Sequence, residues 1–191
     1  MGAAGSGGSF FDQGNGIATD GNGNTLVTGK FSGNAAFGDT TIISLQFNTF
    51  VAKYDANGNF MWAEKAGGQP ADFGSGISGA ADGSSVATGY FQGIGDFGGI
   101  GMTSAGSGSV SLPNTMRPAQ SLGAAIRRHG SGSGLCIARD DAGDTFVSGF
   151  CRYPQPSAIL LSRASRKRCV RGKNGHGWQC VVGGKRRRCG C

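Results

Sequence analysis

The chain repeats itself every 60 residues, and that constrains its fold more than any other feature. "GNGIATDGNGNTLVTGKFSG" begins at Gly14, "GSGISGAADGSSVATGYFQG" at Gly74, and "GSGLCIARDDAGDTFVSGFC" at Gly132. Ile17, Ile77 and Ile137 correspond, as do Gly23, Gly83 and Gly143, and Gly29, Gly89 and Gly149. Phe31 matches Phe91, and "FGD" from Phe37 matches "FGG" from Phe97. A gapless repeat of this length calls for one supersecondary unit per copy, each covering its neighbour's apolar face.

The unit reads as short strands. "TLVTGKF" (25–31) and "TFVAKYD" (49–55) alternate with the period of two that a half-buried strand requires. In the second, Phe50, Ala52 and Tyr54 share one face, and Val51 and Lys53 the other. "NFMWAEK" (59–65) puts Phe60 and Trp62 on one side, and "GIATD" (16–20) supplies a fourth strand. The links "DGNGN" (20–24) and "DANGN" (55–59) are hairpin turns, because Asn and Gly tolerate positive φ. Gly29, Gly89 and Gly149 fall within strands, where glycine permits a bulge or close backbone approach, as neighbouring units would require. Four strands in 60 residues without helical periodicity is the content of one β-propeller blade.

Here the chain resembles a known family. "GIATDGNGNTLVTGKFSG", followed by "FVAKYDANGNFMWA" and "AGG", is similar to the bacterial SBBP-type β-propeller repeat. The likeness runs over residues 8–109 and returns at 132–150. It implies a scaffold or binding role, with a protein or carbohydrate ligand held by propeller loops. It also implies a place in the cell envelope or outside the cell, although the N-terminus carries no signal peptide pattern. It names no ligand and no catalytic residue.

The charge is divided along the chain. Residues 1–109 hold three Lys/Arg and eight Asp/Glu, whereas residues 110–191 hold fifteen and three. All six cysteines follow residue 135. The expected organisation is therefore a repeat region at 1–150, with units at about 8–67, 68–127 and a partial 128–150, and then a disordered basic, cysteine-containing tail at 151–191.

The repeat is broken where "VSLPNTMRPAQSLG" (110–123) stands in place of "FVAKYDANGNFMWA" (50–63). Two prolines make it a poor strand pair. Under one permitted choice of codons, a frame two bases later spells Phe-Ile-Ala-Lys-Tyr-Asp in the register that the period demands. "RKRCVRGKNGHGWQC" (166–180), read one base later, yields Phe-Val-Ala-Lys-Thr-Asp. Residues about 110–131 and 152–191 thus read as out-of-frame translation of repeat DNA.

Several motifs carry a sharper and a blander reading. The tail, with eleven Lys/Arg and no acid over 152–191, would bind polyanions through Arg166, Lys167, Arg168, Lys185, Arg186, Arg187 and Arg188. A shifted frame explains the same residues. Cys169, His176, Cys180, Cys189 and Cys191 offer zinc-binding atoms but fit no common ligand spacing. Asp20, Asn22 and Asn24, and likewise Asp55, Asn57 and Asn59, place oxygens as the start of a calcium loop does. A hairpin turn uses the same residues, and Thr25 and Phe60 stand where the loop glycine belongs. "GSGISG" (74–79) matches a dinucleotide fingerprint but opens a strand. His129 and His176 are the only histidines, both in the irregular segments, so no nucleophile has an evident base. Asp12, Asp39, Asp72 and Asp96 read as loop residues and the aromatics as core. The expectation is an all-β chain of blade-like four-stranded antiparallel units, a partial β-propeller, with no cofactor, no metal and no enzymatic activity.

Overall fold

A computed structural model describes residues 5–99, 101–114, 131–140, 145–153, 155–164, 169–171, 178–182 and 185–189. Side chains are described for 5–99, 101–104, 132–140 and 145–149. Every regular element among them is a β-strand, and all pairings are antiparallel. After β1 (Ser6–Gly8), the first unit is a meander of β2 (Gln13–Thr19), β3 (Thr25–Phe37), β4 (Thr40–Tyr54) and β5 (Phe60–Gln69). The second contains β6 (Phe73–Gly79), β7 (Ser85–Asp96) and β8 (Gly101–Asn114). The third contains β9 (Ser131–Arg139), β10 (Thr145–Tyr153) and β11 (Gln155–Ala164).

The hairpin turns form as their residues require. Gly23, Gly58 and Gly83 hold φ of 77°, 87° and 80°. Each donates its amide to the carbonyl three residues earlier, on Asp20, Asp55 and Ala80, at 3.0 Å. The strands run longer than the alternation predicts, so that β3 and β4 make one long hairpin turning at Gly38 and Asp39.

The faces of β4 are as expected: Phe50 and Ala52 lie in one apolar cluster with Tyr54 packed against it, and Val51 in another. β5 departs from expectation. Tyr54 pairs with Phe60 while Lys53 pairs with Trp62, so Met61 is an extra residue in the ladder. This bulge turns Phe60 onto the Tyr54 face and leaves Trp62 against the Leu26–Val51 cluster. Phe60 and Trp62 therefore do not share a side.

The glycines at 29, 89 and 149 also act differently from expectation. A Cβ on each would overlap the carbonyl oxygen of Gln13, Phe73 or Ser133, respectively. Those acceptors are 60 residues apart and lie on the partner strand of the same unit, beside a register shift in the ladder. The closeness is thus internal to each unit. Close approach between units occurs at other glycines, Gly16 and Gly76 among them. A Cβ on Gly16 would lie 3.0 Å from Gly76 Cα, and one on Gly76 would lie 3.0 Å from the Leu135 carbonyl. β2, β6 and β9 therefore stack in order.

One face of the first unit packs against the opposite face of the second. Leu26 and Val51 meet Ile77, Ala87, Phe91, Phe97 and Met102, with Ala18, Trp62 and Ala66 at the margin. A second cluster of Phe31, Ala35, Phe37, Ile42, Phe50, Ala52 and Ala63 lies on the other side of the first unit. Each buried Phe or Leu contributes about 2 kcal/mol, so stacking is the main source of cohesion between units.

Two expectations about the irregular segments change. "VSLPN" (110–114) is strand: Gly89 pairs with Val110 and Ser85 with Asn114, the register in which Gly29 meets Phe50 and Thr25 meets Tyr54. The backbone ladder accommodates the segment because Pro113 lies on an end of the pairing, one residue from its last partner. In the tail, the described residues are strands in place of disorder. β11 pairs with β10, and β12 (Cys169–Arg171), β13 (Trp178–Val182) and β14 (Lys185–Cys189) form a small sheet. Among the described residues the sheets are open, with no closed ring, and no helix is long and apolar enough to cross a membrane.

Candidate functional site

The polar residues that recur at the 60-residue period converge on the joints between strands and units. The first joint is built around Asp72. Its Oδ2 accepts the Gly68 amide at 2.5 Å, its Oδ1 accepts the Gln92 amide at 2.9 Å, and its own amide donates to the Phe47 carbonyl at 2.9 Å. One residue thus fastens the end of β5 and the middle of β7 through its carboxyl group, and β4 through its backbone amide. Asp12 repeats the arrangement, accepting the Gly8 amide at 2.6 Å and the Ser32 amide at 3.4 Å. The strands it joins also repeat: Gly7 pairs with Ala36 as Gly67 pairs with Asp96.

Asp72 lies in the loop between β5 and β6, as expected, and is completely buried there. Burial pushes its carboxyl above the ordinary value of 3.8, and the two amide donors only partly offset this. Its signal was present in the sequence as "GGSFFD" (7–12) and "GGQPAD" (67–72), a Gly-Gly pair with an acid four residues after its second glycine. Asp39 lies in the β3–β4 turn, and Asp96 ends β7 with its Oδ1 accepting the Gly99 amide at 2.7 Å.

The second joint is Asp20 with Lys53. Asp20 Oδ1 accepts the amides of Asn22 and Asn24 at 2.9 and 3.0 Å. Its Oδ2 accepts the Asn24 side-chain amide at 2.9 Å and lies 2.7 Å from Lys53 Nζ. Lys53 also donates to the Gly83 carbonyl at 3.1 Å, reaching from the first unit to the second. Burial opposes the charge on Asp20, but Lys53, Asn24 and the two backbone amides outweigh it and hold the pKa at about 2. The β2–β3 and β6–β7 turns are joined directly as well, by the Gly21 amide to the Ala80 carbonyl at 3.1 Å.

Replacing Lys53 with Met should cost about 3 kcal/mol, because it strands a buried carboxylate. The sign with pH follows from the depressed value. Asp20 contributes its stability above 3.8 and loses it as pH falls toward about 2. Thermal melts between those limits should show this acid limb in the wild type and a weaker one in K53M. An unchanged limb would remove Lys53 from that role.

The residues considered for calcium are engaged in turns. Asp55 repeats the Asp20 pattern, with Oδ1 accepting the amides of Asn57 and Asn59 and Oδ2 the Asn59 side chain, each at 2.8 Å. Bonds from Asn59 lower its pKa. In both turns the Asp carboxylate faces the loop's own donors, which is the Asx geometry of a hairpin turn. "GSGISG" lies on β6 and leads into a hairpin turn.

A third cluster was not foreseen, since the aromatics read as core. Lys30 Nζ stands 5.1, 5.2 and 5.1 Å from the ring centroids of Phe11, Phe47 and Phe73. Phe73 in turn stacks on Tyr90 at 5.9 Å. Tyr90 occupies in the second unit the position of Lys30 in the first, so the joint keeps its place while changing its chemistry. A cation over aromatic faces contributes about 0.5–2 kcal/mol per ring, depending on exposure.

Of the basic residues considered for polyanion binding, Lys185, Arg186, Arg187 and Arg188 lie consecutively on β14. Arg166, Lys167 and Arg168 lie outside the described residues, as do His129, His176 and Cys191. Cys169 is opposite Cys180, and Cys189 opposite Trp178, in the small sheet.

Fold and joints together define an all-β protein of stacked antiparallel meanders. No family model and no curated protein matches the chain. A crystal structure of a protein of unknown function from Bacteroides caccae aligns with 88% of this chain and 70% of its own, at 12% identity and a TM-score of 0.33.

Proposed function

We propose that the chain is a non-enzymatic scaffold or binding module of the β-propeller repeat type, belonging to a larger bacterial surface or secreted protein. One observation carries the reading: the polar residues that recur with the repeat, at 12 and 72 and in the Asp-led turns, are spent on joints and turns. The outer hairpins are left to vary. There Ile43 is 59%, Leu45 90% and Ile94 71% exposed, on the hairpins of two successive units. Aliphatic side chains presented this way suit a protein partner better than a sugar, which favours aromatic faces.

A photo-cross-linking side chain in place of Leu45 should capture a discrete protein from envelope extracts, whereas the same group in place of Asn57, in the β4–β5 turn, should not. Equal capture at both sites would count against the outer hairpins. Substitution of Leu45 should leave the stability within about 0.5 kcal/mol of wild type, as for other exposed positions.

The second reading is polyanion binding through the C-terminal basic residues, favoured by four successive cations on β14. Deletion of residues 152–191 separates the two. The hairpin cross-link should survive it, whereas heparin retention with a steep salt dependence should vanish. The coding DNA across codons 105–191 bears on the same choice. If it spells the repeat motif in shifted frames, the basic tail and its cysteines carry no selected function.

A further inference from the structure

Asparagine is chemically labile, and most so before glycine, which has no side chain to keep its amide nitrogen from the Asn side-chain carbonyl carbon. Three Asn-Gly steps lie among the described residues, at 15–16, 22–23 and 57–58, and all three asparagines are exposed. Exposure alone therefore does not rank them. What ranks them is how each step is held.

Asn15 is fastened to the second unit, its side-chain amide donating to the Gly74 carbonyl at 2.8 Å. Asn22 sits in a turn tied to the second unit twice. The Gly21 amide donates to the Ala80 carbonyl at 3.1 Å, and Lys53 bridges Asp20 and the Gly83 carbonyl at 2.7 and 3.1 Å. The Asn57 turn has the same internal clasp around Asp55. Among the described residues, no hydrogen bond or ion pair joins residues 55–59 to the second unit, and an added Cβ on Gly58 would meet nothing within 4 Å. In the closed turn the Gly58 amide donates to the Asp55 carbonyl at 3.0 Å and is not free to react. Opening this turn breaks only its own bonds, whereas opening the Asn22 turn must also break those between units.

We propose that Asn57 is a site of spontaneous covalent modification, converting to aspartate and isoaspartate well ahead of Asn22 and Asn15. In the opened turn the Gly58 amide nitrogen loses its proton and attacks the Asn57 side-chain carbonyl carbon. A carbon–nitrogen bond forms, the bond to Nδ2 breaks, and ammonia leaves. Water then opens the resulting cyclic imide at either carbonyl, so the net change is amide plus water to carboxylate plus ammonium. The isoaspartyl product carries one extra methylene in the backbone and sets a second carboxylate near Asp55, so the turn cannot close as before. The inference is independent of the binding role proposed for the outer hairpins.

The experiment incubates the full chain at neutral pH and follows each Asn-Gly step by peptide mapping. Isoaspartyl methyltransferase with labelled S-adenosylmethionine is the probe for isoaspartate. The chain unfolded in denaturant is the reference, in which the three steps should react at similar rates. In the folded chain Asn57 should convert about tenfold faster than Asn22, the factor that one charge-assisted hydrogen bond supplies. Asp55→Ala removes the clasp and should speed conversion of Asn57 by about tenfold while leaving Asn15 and Asn22 unchanged. If D55A unfolded the chain, all three steps would speed up together, and the order in the wild type would decide. Conversion of Asn57 no faster than that of Asn22 in the folded wild type overturns the proposal. So does a folded D55A chain in which the rate at Asn57 is unchanged.

Discussion

Gly89→Ala should destabilise the protein by about 3 kcal/mol or more, out of proportion to a single methyl group. The added Cβ would overlap the Phe73 carbonyl oxygen and lie 3.0 Å from its carbon and 3.1 Å from Gly74 Cα. All three atoms are backbone of the paired strand, so no side chain can swing aside. The strands would have to separate at the bulge, where β6 also packs against the first unit. Gly101→Ala supplies the control, because nothing lies within 4 Å of its added Cβ. That change should stay within about 0.5 kcal/mol. Chemical denaturation of the two variants checks the contrast. A mild effect at Gly89 would mean that the bulge relaxes freely.

Asp72→Ala should cost about 3 kcal/mol, since it leaves the Gly68 and Gln92 amides without their acceptor in a buried joint. Asp72→Asn removes the charge but keeps one of the two acceptors, because its NH2 would face an amide N–H. The wild-type carboxyl titrates above its ordinary 3.8 in the folded state because burial disfavours the charge. Between 3.8 and that raised value the folded state binds more protons than the unfolded one. Stability from this group therefore falls as pH rises through the window, the reverse of Asp20, which acts below 3.8. D72N should remove the decline, so its melting temperature should lie furthest below that of the wild type near pH 4 and closer to it at neutral pH. Parallel pH profiles for the two proteins would place the burden of the joint on the hydrogen bonds alone.

The two substitutions test different claims about the repeat. Gly89 concerns the internal geometry of one meander, and Asp72 concerns how successive meanders are fastened. If both behave as expected, the recurring residues of the chain are explained by construction. The side chains that remain for recognition are then those that differ between units, above all on the outer hairpins.

Much of this was legible in the sequence. Period-two alternation placed β3 and β4, and Asn-Gly turns placed the hairpins, because both depend on neighbours a few residues away. Phe50, Ala52 and Tyr54 were assigned to one face correctly for the same reason. The gapless spacing of Ile17, Ile77 and Ile137 indicated a stack before any strand was located. The Asp12 and Asp72 joint was also written there, in "GGSFFD" and "GGQPAD", but its meaning depends on which distant amides the carboxyl meets.

The tertiary structure decided the rest. The extra residue at Met61 parted Phe60 from Trp62, because a bulge is set by how two ladders fit and not by alternation within one strand. Lys30 became the centre of three rings, Phe11, Phe47 and Phe73, contributed by segments up to 62 residues apart. Ile17 and Ile77 are the same residue in the same local pattern, yet one is 72% exposed and the other 6%. Local sequence specifies the strand and the face on which each isoleucine lies. Burial depends on what lies opposite that face, and only the stacking of whole units supplies it.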